Sequence, residues 1–206
     1  MFFRFVLGIF LLSCSLLATA EDAVSDAKKI VDKLNNTLTE AMKDAKKLRY
    51  QGRYQKLEPV VKESFEFEAV SQIALCSHWK KLNQEQKLAF IDKLTELSIA
   101  TYAAQFNSYG NESFKYDSSQ DLKNGGLLLR YFLTSPNDKP IKFEYMANEF
   151  DGQWRIINII VDGISDLALK KAQYTSVIDR EGFDRLLNKL SQKISEYANN
   201  NDSASS

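Results

Sequence analysis

The chain is poor in the residues that build catalytic and crosslinked sites. Its 206 residues include one histidine, two cysteines and three prolines. Any histidine-based catalysis therefore has to run through His78. Cys76 lies two positions away, but residues i and i+2 of a helix point to different sides. The pair is expected to be a small buried thiol beside a surface imidazole, not a nucleophile and its base. No histidine or cysteine cluster for a metal can be assembled, and no acidic run has the spacing of a calcium loop. GxGxxG, P-loop and GxSxG patterns are missing, and Gly125-Gly126 is a lone turn signal. Neither sign of charge is in excess, with 27 Lys plus Arg against 27 Asp plus Glu. An electrostatic footprint for nucleic acid is thus lacking, and no nucleic-acid partner is expected. The basic pairs Lys28-Lys29, Lys46-Lys47, Lys80-Lys81 and Lys170-Lys171 suit solvated faces, or docking on a membrane or partner. Beyond the first twenty residues no run of eighteen apolar residues occurs that would anchor the chain.

What the chain does have is hydrocarbon. Hydrophobic residues make up 44%, and the aromatics are 13 Phe, 9 Tyr and 2 Trp. That surplus suits a large core or an apolar cavity. At the N-terminus, Arg4 precedes an apolar stretch from Phe5 to Leu17, and Ala18-Thr19-Ala20 forms a small-residue cleavage site. Residues 1–20 therefore read as a secretory signal, with a lipoprotein signal processed at Cys14 as the alternative. Cleavage after Ala20 leaves 26 basic against 27 acidic residues and Cys76 as the sole thiol. An internal disulfide is then impossible, so stability has to come from packing.

Apolar steps of three and four (Val24, Ala27, Val31, Leu34, Leu38, Ala41, Ala45, Leu48) predict a one-sided helix from Asp22 to about Leu48, ended by Gly52. Pro59 is expected to open a second helix, and Phe65 to Trp79 a third. Asn83 with Gln86 resembles a capping box, starting a long helix to about Tyr109 with Leu88, Ile91, Leu94, Leu97, Thr101, Tyr102 and Phe106 inside. The period then changes to two. Strands are expected around Phe114 to Asp117, Gly126 to Thr134, Ile141 to Asn148 and Gln153 to Asp162. Ser135-Pro136-Asn137-Asp138 and Asp151-Gly152 serve as turns in an antiparallel meander.

The last of these strands contains WRIINIIVD. Ile157, Ile159 and Val161 alternate onto one face, and Trp154, Ile156 and Ile160 onto the other, so it is expected to be central and covered on both sides. Asp162-Gly163 ends it, although Asp162 is also the one carboxylate placed to do chemistry at a strand end. Ser165 caps a helix to Arg180, Gly182 stops it, and a final helix spans Asp184 to Tyr197. The expected fold is α+β: a twisted antiparallel four-stranded sheet packed with several helices.

Several stretches follow one another in a telling order. They are Tyr54-Gln55-Lys56-Leu57 with Pro59-Val60-Val61, Ser64-Phe65-Glu66-Phe67, Trp79 ahead of Gln86, and Phe90 before Thr101-Tyr102. The closing pieces are Trp154-Arg155-Ile156, Val161-Asp162-Gly163-Ile164-Ser165, and Gly182 before Leu186-Leu187 and Leu190. Together they resemble the MlaC family of periplasmic phospholipid carriers. The chain departs from the family in having Cys76 where Gly is usual and Asn158 where Asp is usual. Its Asp166-Leu167-Ala168-Leu169-Lys170-Lys171 is closer to the hopanoid-associated HpnM branch.

The resemblance implies a cystatin-like or nuclear-transport-factor-like sheet with added helices, in a single lipid-binding domain over 21–198 followed by a disordered tail, 199–206. It implies no catalysis and no cofactor, with a bound lipid as cargo. The partners implied are an inner-membrane ABC transporter bearing an MCE-domain ring and an outer-membrane lipoprotein complex. Two acyl chains of 16 carbons cost on the order of 25 kcal/mol in water at about 0.8 kcal/mol per CH₂, so a carrier has to enclose them. The lining expected from the long helix is Ile91, Leu94, Leu97 and Phe106. From the sheet it is Leu127, Leu129, Phe143, Tyr145, Ile157, Ile159 and Val161. A hopanoid-handling relative and a periplasmic enzyme on the same sheet are the rival readings. The enzyme requires His78 or Asp162 to face the cleft beside a second titratable group.

Overall fold

The computed structural model describes residues 20–136 and 138–203. The expected signal segment, except Ala20, and the alternative site at Cys14 lie outside the described residues, as do Asn137 of one expected turn and the last three residues.

The first helical stripe folds as expected. α1 (Ala20–Lys43) buries Ala27, Val31, Leu34, Leu38 and Ala41 to 1% exposure or less. Its continuation differs. α2 (Ala45–Ser64) carries the break at Arg49, whose φ of 52° is not helical. Gly52 does not end the pattern, and Pro59 lies inside α2 instead of opening it, giving up one helix hydrogen bond there. The buried guanidinium of Arg53 holds this corner together. Its Nε donates to the Ala103 carbonyl at 2.7 Å, and its terminal nitrogens donate to the Ala45 carbonyl and the Asn201 side chain. It thereby satisfies acceptors near the ends of separate helices.

α3 (Phe67–Leu75) is shorter than expected and passes into a 3₁₀ turn over Cys76–Lys81. The reason is Cys76 itself, at φ 53° and ψ −123°, a region that suits glycine and strains any residue with a Cβ. This is the position where the resembled family has Gly. The thiol is exposed, and His78 is the more enclosed of the two, with Nε2 3.1 Å from Asp179 Oδ1.

α4 (Gln84–Gln105) begins with the complete capping box, Asn83 and Gln86 each accepting from the other's backbone N–H. It ends four residues before Tyr109. Leu88, placed inside by the periodicity, is 52% exposed. Buried residues instead fall on several sides (Phe90, Leu94, Leu97, Ile99, Ala100, Ala103), because α4 packs against α2, α3 and α6.

The sheet is an antiparallel meander of β1 (Ser113–Asp121), β2 (Leu127–Thr134), β3 (Ile141–Phe150), β4 (Gln153–Val161) and β5 (Ile164–Ser165), in that spatial order. The fifth strand is additional to the four expected. Asp162-Gly163 (φ 47° and 84°) does more than end β4. Like Asp151-Gly152 (φ 48° and 74°), it is a two-residue hairpin turn with both residues left-handed, the geometry that Asp-Gly favours. Asp162 clamps it, with its Oδ1 accepting the Lys142 N–H at 2.9 Å.

The structure also corrects the reading of β4. Tyr145 pairs with Ile159 and Met146 with Asn158, but Ala147 pairs with Ile156, so Ile157 is the extra residue of a β-bulge. A bulge shifts the phase of side chains by one. Trp154, Ile156, Ile159 and Val161 therefore share the helix-facing side across the bulge, and both parities are apolar without the strand being covered on both faces. β4 is next to the edge strand, and beyond it the Phe65 backbone forms a bridge to Ile156. The opposite side of the sheet carries Asn158 and Ile160 beside the Arg130–Glu144–Lys142 ion pairs.

α5 (Asp166–Glu181) starts on Ser165, which accepts from the Ala168 N–H at 3.1 Å, and stops at Gly182 with φ 89°. Asn158 accepts the Leu167 N–H and donates to Ser165 Oγ at 3.0 Å, the second being a bond that a carboxylate cannot donate. α6 (Phe183–Ser203) continues past Tyr197 into the Asn-rich segment assigned to a disordered tail. Among the described residues no helix is long and apolar enough to cross a membrane.

Candidate functional site

α1 packs across the strands and is fastened to β1, β2 and β3 in turn. Lys28 Nζ sits 5.3 Å over the Tyr116 ring of β1. One turn on, Asp32 accepts from the Tyr131 hydroxyl of β2 at 2.7 Å, and Asn35 accepts from the Tyr145 hydroxyl of β3 at 2.6 Å. The three rings meet edge to face at 5.4 and 5.6 Å. Burial, reinforced at Tyr131 by the Asp32 carboxylate, raises the Tyr131 and Tyr145 phenols far above their usual range. They remain neutral donors.

Beside this ladder the helices and sheet do not meet. A cavity of about 470 Å³ opens there, within the range of roughly 300–1,000 Å³ usual for small-molecule sites. Leu34 and Leu38 of α1 line it, with Tyr145, Phe143, Ile159 and Val161 of the sheet and Phe65 at the sheet's edge. Ser98, Thr101, Tyr102, Gln105 and Phe106 come from the end of α4. Asp162, Ile164, Asp166, Leu169 and Lys170 come from the β4–β5 turn and α5.

Two of the polar residues on that list present hydrocarbon. Ser98 Oγ donates to the Leu94 carbonyl at 2.8 Å and Thr101 Oγ1 to the Leu97 carbonyl at 2.7 Å, so both hydroxyls are spent on their own helix. A chain of aromatic contacts runs round the wall, Phe65 to Tyr102, Tyr102 to Phe106, Phe106 to Phe114, Phe114 to Phe143 and Phe143 to Tyr145, with centroids between 5.3 and 6.5 Å. Rings that brace one another in this way have few torsions with which to collapse inward.

Of the residues expected to line a cleft, the structure brings together Phe106, Phe143, Tyr145, Ile159 and Val161. Leu94, Leu97, Leu127, Leu129 and Ile157 are buried elsewhere, at 8% exposure or less, and Ile91 packs at the core's margin. Sequence reasoning missed Leu34 and Leu38, although it had placed both on the right stripe of α1. It also missed Phe65 and the β5–α5 lip. The Asp-Gly hairpin signal at 162–163 was the available clue to the lip.

The charged groups near the cavity are at its rim. Asp162 and Asp166 both border it, so the second titratable group that an enzyme reading asks of Asp162 exists. Both are solvent-exposed, Asp162 is engaged with the Lys142 backbone, and Asp166 with Lys170 in the next turn. Tyr102 and Tyr145 are the titratable groups inside. Burial, joined at Tyr102 by the Asp166 charge, keeps both phenols well above the ordinary value and therefore protonated. His78 is paired with Asp179 away from the lining. Among the described residues there is no group of three His, Cys, Asp or Glu placed to hold a metal ion.

An antiparallel meander with helices closed over one face, and an apolar hollow between them, is a fold organised round space for an apolar ligand. The chain belongs to the MlaC family, whose model, described as MlaC protein, matches residues 32–192. Over 126 residues it is 24% identical to the intermembrane phospholipid transport system binding protein MlaC of Haemophilus influenzae, and the match spans 59% of this chain and 59% of that relative. Among solved structures it is similar to a phospholipid-binding protein from Ralstonia solanacearum in complex with a phospholipid, with a TM-score of 0.72 and 22% identity, covering 85% of this chain and 98% of that one.

Proposed function

We propose that this protein is a non-enzymatic lipid carrier that holds the acyl part of a phospholipid in the cavity between sheet and helices. The observation that carries this reading is the cavity, walled by Leu34, Leu38, Phe65, Phe106, Phe143, Tyr145, Ile159 and Val161. Enclosing one acyl chain of 16 carbons removes on the order of 12 kcal/mol of exposed hydrocarbon from water, at about 0.8 kcal/mol per CH₂. The aromatic wall keeps that space available without polypeptide filling it. The relatives named above, one a transport-system binding protein and one in complex with a phospholipid, support the same reading.

In this account the chain is exported and cleaved near Ala20. It works between two membranes, receiving lipid from an outer-membrane lipoprotein complex and exchanging it with an inner-membrane ABC transporter bearing an MCE-domain ring. It uses no cofactor beyond its cargo. Native mass spectrometry of the protein purified from a two-membrane bacterium tests the carrier reading. The expected result is a mass increment equal to a diacyl phospholipid that is lost on organic extraction. A triterpenoid increment would move the assignment to the hopanoid branch, and repeated absence of any lipid would refute it.

A further inference from the structure

The floor and the rim of the cavity are made of different chemistry. Leu34, Leu38 and Tyr145 are at most 1% exposed, whereas Ile164 and Leu169 at the lip are 61% and 51% exposed, and the charged lining residues are all at that lip. Two carboxylates, Asp162 and Asp166, stand there against one ammonium, Lys170. Lys170 is committed to Asp166. One Asp162 oxygen accepts the Lys142 N–H, and its other oxygen has no hydrogen-bond partner among the described residues. The rim thus carries one unbalanced negative charge where an enclosed lipid would place its polar end.

We propose that this rim selects the headgroup: a zwitterionic phospholipid carrying an ammonium, of the ethanolamine type, is loaded in preference to a net-anionic one of the glycerol type. The inference rests on the carrier reading above and adds to it a substrate class and the residue that sets it. An ammonium beyond the phosphate answers the Asp162 carboxylate, while a phosphate oxygen accepts from the Tyr102 hydroxyl further in. A headgroup with only the phosphate charge brings a negative group to a rim already negative, with nothing to offset Asp162. The preference is modest because these groups are solvated, about fivefold at low salt. It shrinks as the screening length falls from about 30 Å at 0.01 M to about 3 Å at 1 M ionic strength.

The test is competition. The delipidated full protein is incubated with vesicles of equimolar phosphatidylethanolamine and phosphatidylglycerol with matched acyl chains, and the bound species are counted by native mass spectrometry. The expected result is about a fivefold excess of the ethanolamine lipid near 0.01 M salt, falling toward parity at 1 M. In Asp162→Asn the excess falls to below twofold at low salt. Asparagine tolerates the left-handed backbone and keeps the oxygen that accepts from Lys142, so the turn is retained, which a thermal melt verifies. Glycerophosphoethanolamine, lacking acyl chains, is expected not to displace bound lipid. Equal or glycerol-favoured loading by the wild type, or an unchanged preference in Asp162→Asn, overturns the proposal. A protein that loads neither lipid fails at the carrier step, and both readings go together.

Discussion

Two ends of one sheet face differ in what lies opposite them. At one end Leu127, Ala147 and Ile156 are at most 3% exposed and belong to the continuous core. At the other, Phe143, Tyr145, Ile159 and Val161 look onto a cavity of about 470 Å³. The strands are the same, the residues are equally apolar, and the hydrogen-bond ladder runs through both. What differs is the support. The open end has a wall of aromatic rings braced against one another, and α1 is held over it by polar tethers to Tyr131 and Tyr145. A hollow is therefore a property of what holds its walls apart, and hydrophobicity alone does not distinguish it from a core.

The clearest way to break this comparison is to truncate each end. Leu127→Ala or Ile156→Ala, at the solid end, is expected to cost about 2–5 kcal/mol through lost burial and a new void. Val161→Ala, at a wall that already faces space, is expected to cost under about 1 kcal/mol. Urea unfolding measures both, and equal costs would mean that the two ends are packed alike.

The tethers come next. Tyr145→Phe leaves the buried Asn35 carbonyl oxygen without its donor, in a residue whose amide nitrogen already lacks a partner among the described residues. An unmet buried acceptor costs about 1–3 kcal/mol. The variant should also show faster amide exchange in the middle of α1, whereas Tyr116→Phe, whose ring contacts remain, should not.

Alkali attacks the same tethers. Tyr102, Tyr131, Tyr145 and Tyr174 all have phenols raised, chiefly by burial. The unfolded chain ionises these groups near pH 10 while the folded one does not. Their contribution is thus intact below about pH 10 and is lost as pH rises beyond it. Phenolate absorbance and unfolding should appear together above that pH. A stepwise tyrosine titration with the fold intact would show that the phenols are not enclosed.

A further small effect, of opposite sign, lies outside the comparison. Cys76→Gly relieves a backbone conformation that costs a Cβ-bearing residue about 1–3 kcal/mol, less the entropy that glycine loses on folding, about 0.5–1 kcal/mol. A net gain of about 1 kcal/mol in thermal or urea unfolding is expected, with lipid loading unchanged.

How much of this was legible beforehand follows from the same physics. Periodicity found α1's buried stripe, the capping box at Asn83 and all four long strands, because each is written in local spacing. It misjudged β4, because a bulge inserts one residue and reverses the phase midway, so Ile156 and Ile159 face the same way despite opposite parity. It also misplaced the break after α1, since nothing in Arg49 advertises a left-handed backbone. Half of the expected lining is core for a related reason. Leu94 lies within α4 and Phe106 caps its end, and which of them meets space depends on Leu38 and Phe65, brought there from elsewhere in the chain. The hollow is a tertiary feature, and family resemblance, not pattern, pointed to it.

The most direct test uses a phospholipid with a photoactivatable diazirine at the end of one acyl chain. After loading and irradiation, the crosslinked peptides are mapped by mass spectrometry. Adducts are predicted on the segments containing Leu34 and Leu38, Phe106, Phe143 and Tyr145, and Ile159 and Val161. Adducts confined to the opposite sheet face around Arg130 and Ile160, or to the exposed side of α6, would contradict the account.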